Sequence, residues 1–408
     1  MEKNKCAPRG GRAHRGGGIR SARPLRSPAI ALAELLALGA ALLVLGAALR
    51  PAPVSADSDH LIAGRSPHAL VLADIDRDGK IDIVVAASAS EEVVVLFGDG
   101  RGGVSRRVGL RVGRGPGWVE VGDADGDGHL DLLSAETGGG RVTIHYGDGR
   151  GGFPRNLVLP IPAAASIGLR DMNGDGRGDL VVSQALPGQI LVLLGEKGGG
   201  YGKPHRHPIS RGLHILELGD LNGDGKPDVA VGGLGQHQVS ILLNEGGRLG
   251  KPRHFSLGRL PHYMAIRDFN GDKRADLAVV LGGEDAVRIL LGSAEKGFVP
   301  GERVKAGVNP HGVAVGDFDG DGKADLAVGS RTTMDVWLHF GNGDGSFRSG
   351  GKFRVPDDVI ALRAGDMNGD GNLDLVLAFA SIHRVGIYLG DGKGSFAPRR
   401  TSARARGR

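Results

Sequence analysis

Seven nine-residue stretches that open and close on aspartate recur through this chain, their starts 48 or 49 residues apart. DIDRDGKID starts at Asp74, DADGDGHLD at Asp123, DMNGDGRGD at Asp171 and DLNGDGKPD at Asp220. DFNGDKRAD follows at Asp268, DFDGDGKAD at Asp317 and DMNGDGNLD at Asp366. A fixed period of this length, filling residues 60–400, restricts the chain to a propeller, a solenoid or an array.

The flanks choose among these. An alternating segment such as Val119-Glu120-Val121 precedes each stretch, and a short apolar run such as Ile83-Val84-Val85 follows it. A third apolar segment (VVVLFGDG at 93–100, VTIHYGDG at 142–149) ends in a glycine-rich turn, and a weaker fourth follows. No helical period is present past residue 50, so these are strands of four to six residues. Four antiparallel strands repeated seven times give an all-β fold, a seven-bladed β-propeller, because an open stack would leave bare apolar ends. Residues 59–64 read as an orphan fourth strand. They are expected to complete the blade whose other strands lie near 360–390, leaving the basic end, 398–408, free. Glycine, 73 of 408 residues, agrees with a turn-rich fold.

Positions 1, 3, 5 and 9 of each stretch supply oxygen ligands only, with glycine at position 6, which suits a hard cation taking six to eight oxygens. The candidate ligands are Asp74, Asp76, Asp78 and Asp82; Asp123, Asp125, Asp127 and Asp131; Asp171, Asn173, Asp175 and Asp179; and Asp220, Asn222, Asp224 and Asp228. The remaining three loops contribute Asp268, Asn270, Asp272 and Asp276; Asp317, Asp319, Asp321 and Asp325; and Asp366, Asn368, Asp370 and Asp374. Calcium fits this set better than magnesium, which demands a tighter octahedron. An EF-hand is excluded, because its twelfth-position Glu is replaced by Val85, Ser134 and Val182 and its helices by strands. A solvated acidic hairpin loop is the competing reading for one copy, since Asp, Asn and Gly favour turns. Seven copies in register favour up to seven Ca²⁺. Lys273 replaces the position-6 glycine, so the Asp268–Asp276 site is expected to be weakest.

With these loops and the FGDG, YGDG, FGNGDGSF and LGDGKGSF turns, residues 59–397 resemble FG-GAP/VCBS repeat proteins, which include the integrin α propeller and many exported bacterial proteins. The resemblance implies calcium in the hairpin loop between the first two strands of each blade. It also implies a role in adhesion or recognition, although some such propellers belong to polysaccharide lyases or hydrolases.

Residues 1–56 are a separate segment. A basic stretch precedes the apolar run from Ala29 to Leu49, interrupted only by Glu34, and Val54-Ser55-Ala56 suits signal-peptidase cleavage. The segment is a secretory signal or an uncleaved signal anchor through residues 29–49, and either way residues 57–397 are exported. The formal net charge of +5 is carried by the ends, since residues 57–398 hold 37 basic against 44 acidic residues. That balance argues against a nucleic-acid partner. Cys6 is the only cysteine, which excludes an internal disulfide.

No nucleophile elbow, HExxH or P-loop is present. One further constellation stands out. His68, His214, His262 and His311 each lie six residues before a loop's first Asp, at the start of the innermost strand. Together they form a possible ligand site at the channel mouth, with Trp118, Glu120, Glu217, Tyr263 and Arg363 nearby; the alternative is a strand-capping residue copied with the repeat. The chain is thus expected to be a monomeric, exported binding or adhesion module for a protein or glycan, with a polysaccharide-active enzyme as the alternative.

Overall fold

The computed structural model describes residues 60–399. The signal or anchor segment, Cys6 and the end of the basic tail lie outside the described residues. Among the described residues, no helix is long and apolar enough to cross a membrane.

Blade I is formed by strands Pro67–Ala73, Asp82–Ala87, Glu92–Gly98 and Val104–Arg111, paired antiparallel in chain order. Blades II to VI repeat this order from first strands Pro116–Gly122, Ala164–Arg170, Leu213–Gly219, Pro261–Arg267 and Pro310–Gly316. Blade VII has Val359–Gly365, Asp374–Phe379 and Arg384–Gly390. Burial follows position in the blade. Every residue of the second strand Asp82–Ala87 is buried, whereas Val104–Arg111 has no buried residue and is exposed at five of its eight positions. Second strands are sandwiched between neighbouring blades and so read as unbroken apolar runs; outer strands face water on one side.

The expected ring closure is present. His60–Ile62 pairs with Arg384–Gly386 of blade VII, and Leu70, Ile83 and Val85 of blade I share a buried cluster with Ile360, Val376 and Ile387 of blade VII. The outer edge departs from expectation at its other end. Phe396–Pro398 is also a strand on blade VII, with Tyr388 opposite Pro398, so the two chain ends divide one edge between them. Arg399 is not free either: its N–H donates to Ile387 O at 2.9 Å, and its guanidinium reaches Asp99 of blade I at 3.3 Å.

Each first strand is irregular near its start, with the register shifting between Pro67 and Ala69 in blade I and at the matching place in the other six. A bulge re-aims the side chain it contains. In four blades that residue is a histidine.

Candidate functional site

The seven loops share one hydrogen-bond scheme. The position-1 carboxylate accepts the N–H of position 6, at 2.9 Å from Gly79 to Asp74 and 2.8 Å from Gly128 to Asp123. The position-5 carboxylate accepts the N–H of position 7, as from Lys226 to Asp224 at 2.9 Å. This curls positions 1, 3 and 5 toward a common point. Among the described residues, the sets of three or more His, Cys, Asp or Glu with ligand atoms within 4.8 Å of one another are Asp74, Asp76 and Asp78; Asp123, Asp125 and Asp127; and Asp317, Asp319 and Asp325. These belong to the three loops with Asp at position 3. In the other four, Asn173, Asn222, Asn270 and Asn368 supply a neutral oxygen there. An all-oxygen donor set already gathered this closely fits a hard divalent cation.

Position 9 has a second job that ligand counting missed. Asp131 is fully buried, and its two oxygens accept the N–H of Ala124 at 2.7 Å and of Gly147 at 2.8 Å. Asp82, Asp179, Asp228, Asp276, Asp325 and Asp374 repeat this, each bonding the N–H seven residues before it and sixteen after it. The carboxylate ties loop, second strand and third strand together. Burial pushes Asp82, Asp131 and Asp325 up to about 6.

Three arginines were also missed. Arg106 reaches Asp76 at 3.4 Å, Arg155 pairs with Asp125, and Arg348 reaches Asp319 at 2.5 Å. Each lies over an aromatic ring of its own blade: Phe97 at 3.7 Å, Tyr146 at 3.6 Å and Phe340 at 4.7 Å. They occur only in the loops with Asp at position 3, offset by 29 or 30 residues, a covariation legible within the sequence.

Positive φ is required at positions 4 and 6. Glycine fills position 6 at φ 81–84° in six loops, and Lys273 takes φ 66° in the fifth; at position 4 the exception is Arg77, at φ 60°.

In the channel, the four histidines converge. Ring centroids are 6.2 Å apart for His214 and His262, 4.7 Å for His262 and His311, and 6.4 Å for His311 and His68. His68 Nδ1–H donates to Gly117 O at 2.9 Å and His311 Nδ1–H to Ile360 O at 2.7 Å. Both acceptors occupy the histidine's own register position in the next blade, so these two imidazoles clamp blade to blade. Burial lowers all four, His214 to about 3 and His262 to about 4, and keeps the rings neutral at pH 7.

Trp118 of blade II stacks on Tyr263 of blade V across the channel, with centroids 5.7 Å apart, and His311 lies 5.3 Å behind Tyr263. This layer separates the histidines from Glu120, Glu217, Arg170 and Arg363, which the sequence had grouped with them in part. Those four charged side chains border a cavity of about 400 Å³ on the loop side. Burial pushes Glu120 and Glu217 up to about 7, partly offset by Arg170 and Arg363.

A family model described as an FG-GAP-like repeat matches residues 74–134, 123–182, 220–279, 268–328 and 317–377. No curated protein sequence matches the chain significantly. Among solved structures, BBS1N in complex with ARL6DN is similar at TM-score 0.57 and 15% identity, over 84% of this chain and 95% of that one. A putative 6-phosphogluconolactonase from Bacteroides fragilis gives 0.54 at 14%, over 82% and 94%. An inactive virginiamycin B lyase from Staphylococcus aureus with quinupristin gives 0.53 at 12%, over 83% and 97%. At these identities the likeness is one of fold.

Proposed function

The chain belongs to the FG-GAP-like repeat family, and from that premise we propose that it is an exported propeller, stabilised by calcium, that binds a protein or glycan ligand without chemical turnover. The observation that carries the calcium reading is the convergence of three carboxylates in the loops of blades I, II and VI, in a turn that all seven blades share. The side chains at positions 1, 3, 5 and 9, with Asn at position 3 in four loops, would hold the ion, Asp325 of position 9 being one of the three gathered in blade VI; the ion would supply positive charge that offsets their repulsion. Export rests on the apolar run 29–49 and the small residues at 54–56. Binding without turnover draws on a ring with no nucleophile motif and on a similar propeller captured with a protein partner.

Melting with and without EGTA, beside a counted calcium stoichiometry, tests the calcium reading. Chelation is expected to lower Tm, and an unchanged Tm with no bound calcium refutes it. A polysaccharide-active enzyme remains the second reading, supported by Glu120 and Glu217, whose protonation near pH 7 suits general acid–base work. Release of unsaturated or reducing sugars from polyuronides would favour it.

A further inference from the structure

We propose that the cavity on the loop side of the channel is a carbohydrate site that takes one neutral sugar ring, free or at the end of a glycan. The proposal deepens the glycan reading above and rests on it.

The cavity is partly open to solvent. Its lining comes from the halves of the first strands nearest the loops, at the third position before each loop's first Asp: Glu120, Glu217 and Arg363 on three blades, and small or apolar residues such as Val71 and Ala265 on the others. Arg170 enters from blade III, one position before its loop. Trp118 also lines it, held by its stack on Tyr263. A volume near 400 Å³ lies within the usual range for small-molecule sites, roughly 300–1,000 Å³.

The polar groups are only partly engaged by the protein, Glu120 through the N–H of Val121. Arg170 Nη1 lies 4.0 Å from Glu120 Oε1, the limit of an ion pair, and otherwise donates to Leu169 O at 2.6 Å. Arg363 Nη1 donates to the neighbouring Leu362 O at 2.9 Å. Glu217 is influenced by Arg363 and Arg170 through charge alone, without a hydrogen bond to either. Tyr263 is 2% exposed, and its hydroxyl is buried without a hydrogen-bond partner. Carboxyls and guanidiniums with bonding capacity left over, gathered around one cavity, mark a place where a solute can complete the bonding.

The chemistry of that solute follows from the lining. Above about pH 7 two carboxylates and two guanidiniums sum to no net charge, which disfavours an anion or a cation, and below it the protonated carboxyls add hydroxyl donors. Acceptors and donors alternate, which suits hydroxyls that both donate and accept. The apolar arc and the indole suit the C–H face of a pyranose.

The chain has two tryptophans, Trp118 and Trp337, so a Trp337→Phe variant of the exported propeller reports on the cavity lining alone. Titration with glucose, galactose, mannose, N-acetylglucosamine and their disaccharides, in calcium, is expected to shift Trp118 emission saturably for at least one sugar. Glu217→Gln and Arg363→Met are each expected to weaken that binding at least about tenfold, with no loss of Tm. A glycan array distinguishes a free sugar from a glycan end, and both outcomes support the site. Silence across the sugar panel overturns it, as does a response to glycine or betaine instead. Array binding that survives Glu217→Gln and Arg363→Met overturns the cavity site while leaving the proposed function standing. Absence of any glycan or protein ligand overturns that function itself.

Discussion

Lys273→Gly is expected to stabilise the protein, and its size can be worked from one torsion. Lys273 takes φ 66° where six sister loops place glycine. A Cβ added at Gly79, Gly176, Gly225, Gly322 or Gly371 would meet nothing within 4 Å, so crowding is not what selects glycine there. What remains is the left-handed backbone, which costs an L-residue about 1–2 kcal/mol. Glycine removes that cost but loses about 0.5–1 kcal/mol to the greater freedom of its unfolded chain. The net gain is about 0.5–1 kcal/mol, a rise in Tm of roughly 1–3 °C for a domain of this size.

Charge must be separated from torsion, because Lys273 also sits among Asp268, Asp272 and Asp276. Lys273→Ala removes the ammonium and keeps the strained φ. Calorimetric melting of both variants in saturating calcium is the assay. Lys273→Gly should exceed Lys273→Ala by most of the net gain, and Arg77→Gly, at φ 60° in the first loop, should behave likewise. Equal melting of the Ala and Gly variants would refute the torsional argument.

Asp131→Ala leaves the N–H groups of Ala124 and Gly147 without acceptors, and should cost about 2–5 kcal/mol in urea unfolding even in EGTA; the exposed Asp127→Asn should cost less than about 1 kcal/mol there. Equal losses would remove the structural role given to position 9. Arg155→Met withdraws the guanidinium from Asp125 and should tighten one class of calcium site several-fold by calorimetry; weaker binding would show that the arginine supports the loop instead. Glu217 holds its proton up to about pH 7 in the folded state against 4.5 when unfolded. The native state therefore binds more protons across that window, and stability falls as pH rises through it. Glu217→Gln should melt like the parent near pH 4 and gain on the order of 1–3 kcal/mol at pH 8, less than the full shift because the cavity is open to solvent. A gain independent of pH would contradict the assignment.

The blade count, the strands and the ring closure at His60–Ile62 were legible because each is a local pattern repeated at one period. The carboxylates at positions 1, 3 and 5 were legible for the same reason, since a tight turn brings neighbours in sequence together. The double bonding of Asp131 was harder, because Gly147 is brought to it by strand pairing across sixteen residues. The addition of Phe396–Pro398 to the blade edge that His60–Ile62 already occupies was hidden, since alanine and proline carry no strand pattern. The split of the channel into a histidine layer and a carboxyl–guanidinium cup depends on Trp118 meeting Tyr263 from a distant blade. Nothing local in either strand announces that meeting.

The loops are tied to neighbouring blades, and this has a consequence for chelation. Gly102 of blade I donates to Met367 O of blade VII, Gly345 of blade VI to Phe269 O of blade V, and Gly394 of blade VII to Phe318 O of blade VI, all at 2.9–3.0 Å. Each acceptor is position 2 of a loop, flanked by its position-1 and position-3 ligands. Asn244 makes the same link to Met172 O through its side chain at 2.7 Å. A cation at positions 1 and 3 would therefore fix the carbonyl that holds the next blade. Chelation below Tm should speed hydrogen exchange at Gly102, Gly345 and Gly394 well before the second-strand amides at 82–87, whose bonds lie within one blade. Uniform acceleration across both sets would mean that the ion stabilises the ring only globally, and that blade-to-blade coupling does not pass through the loops.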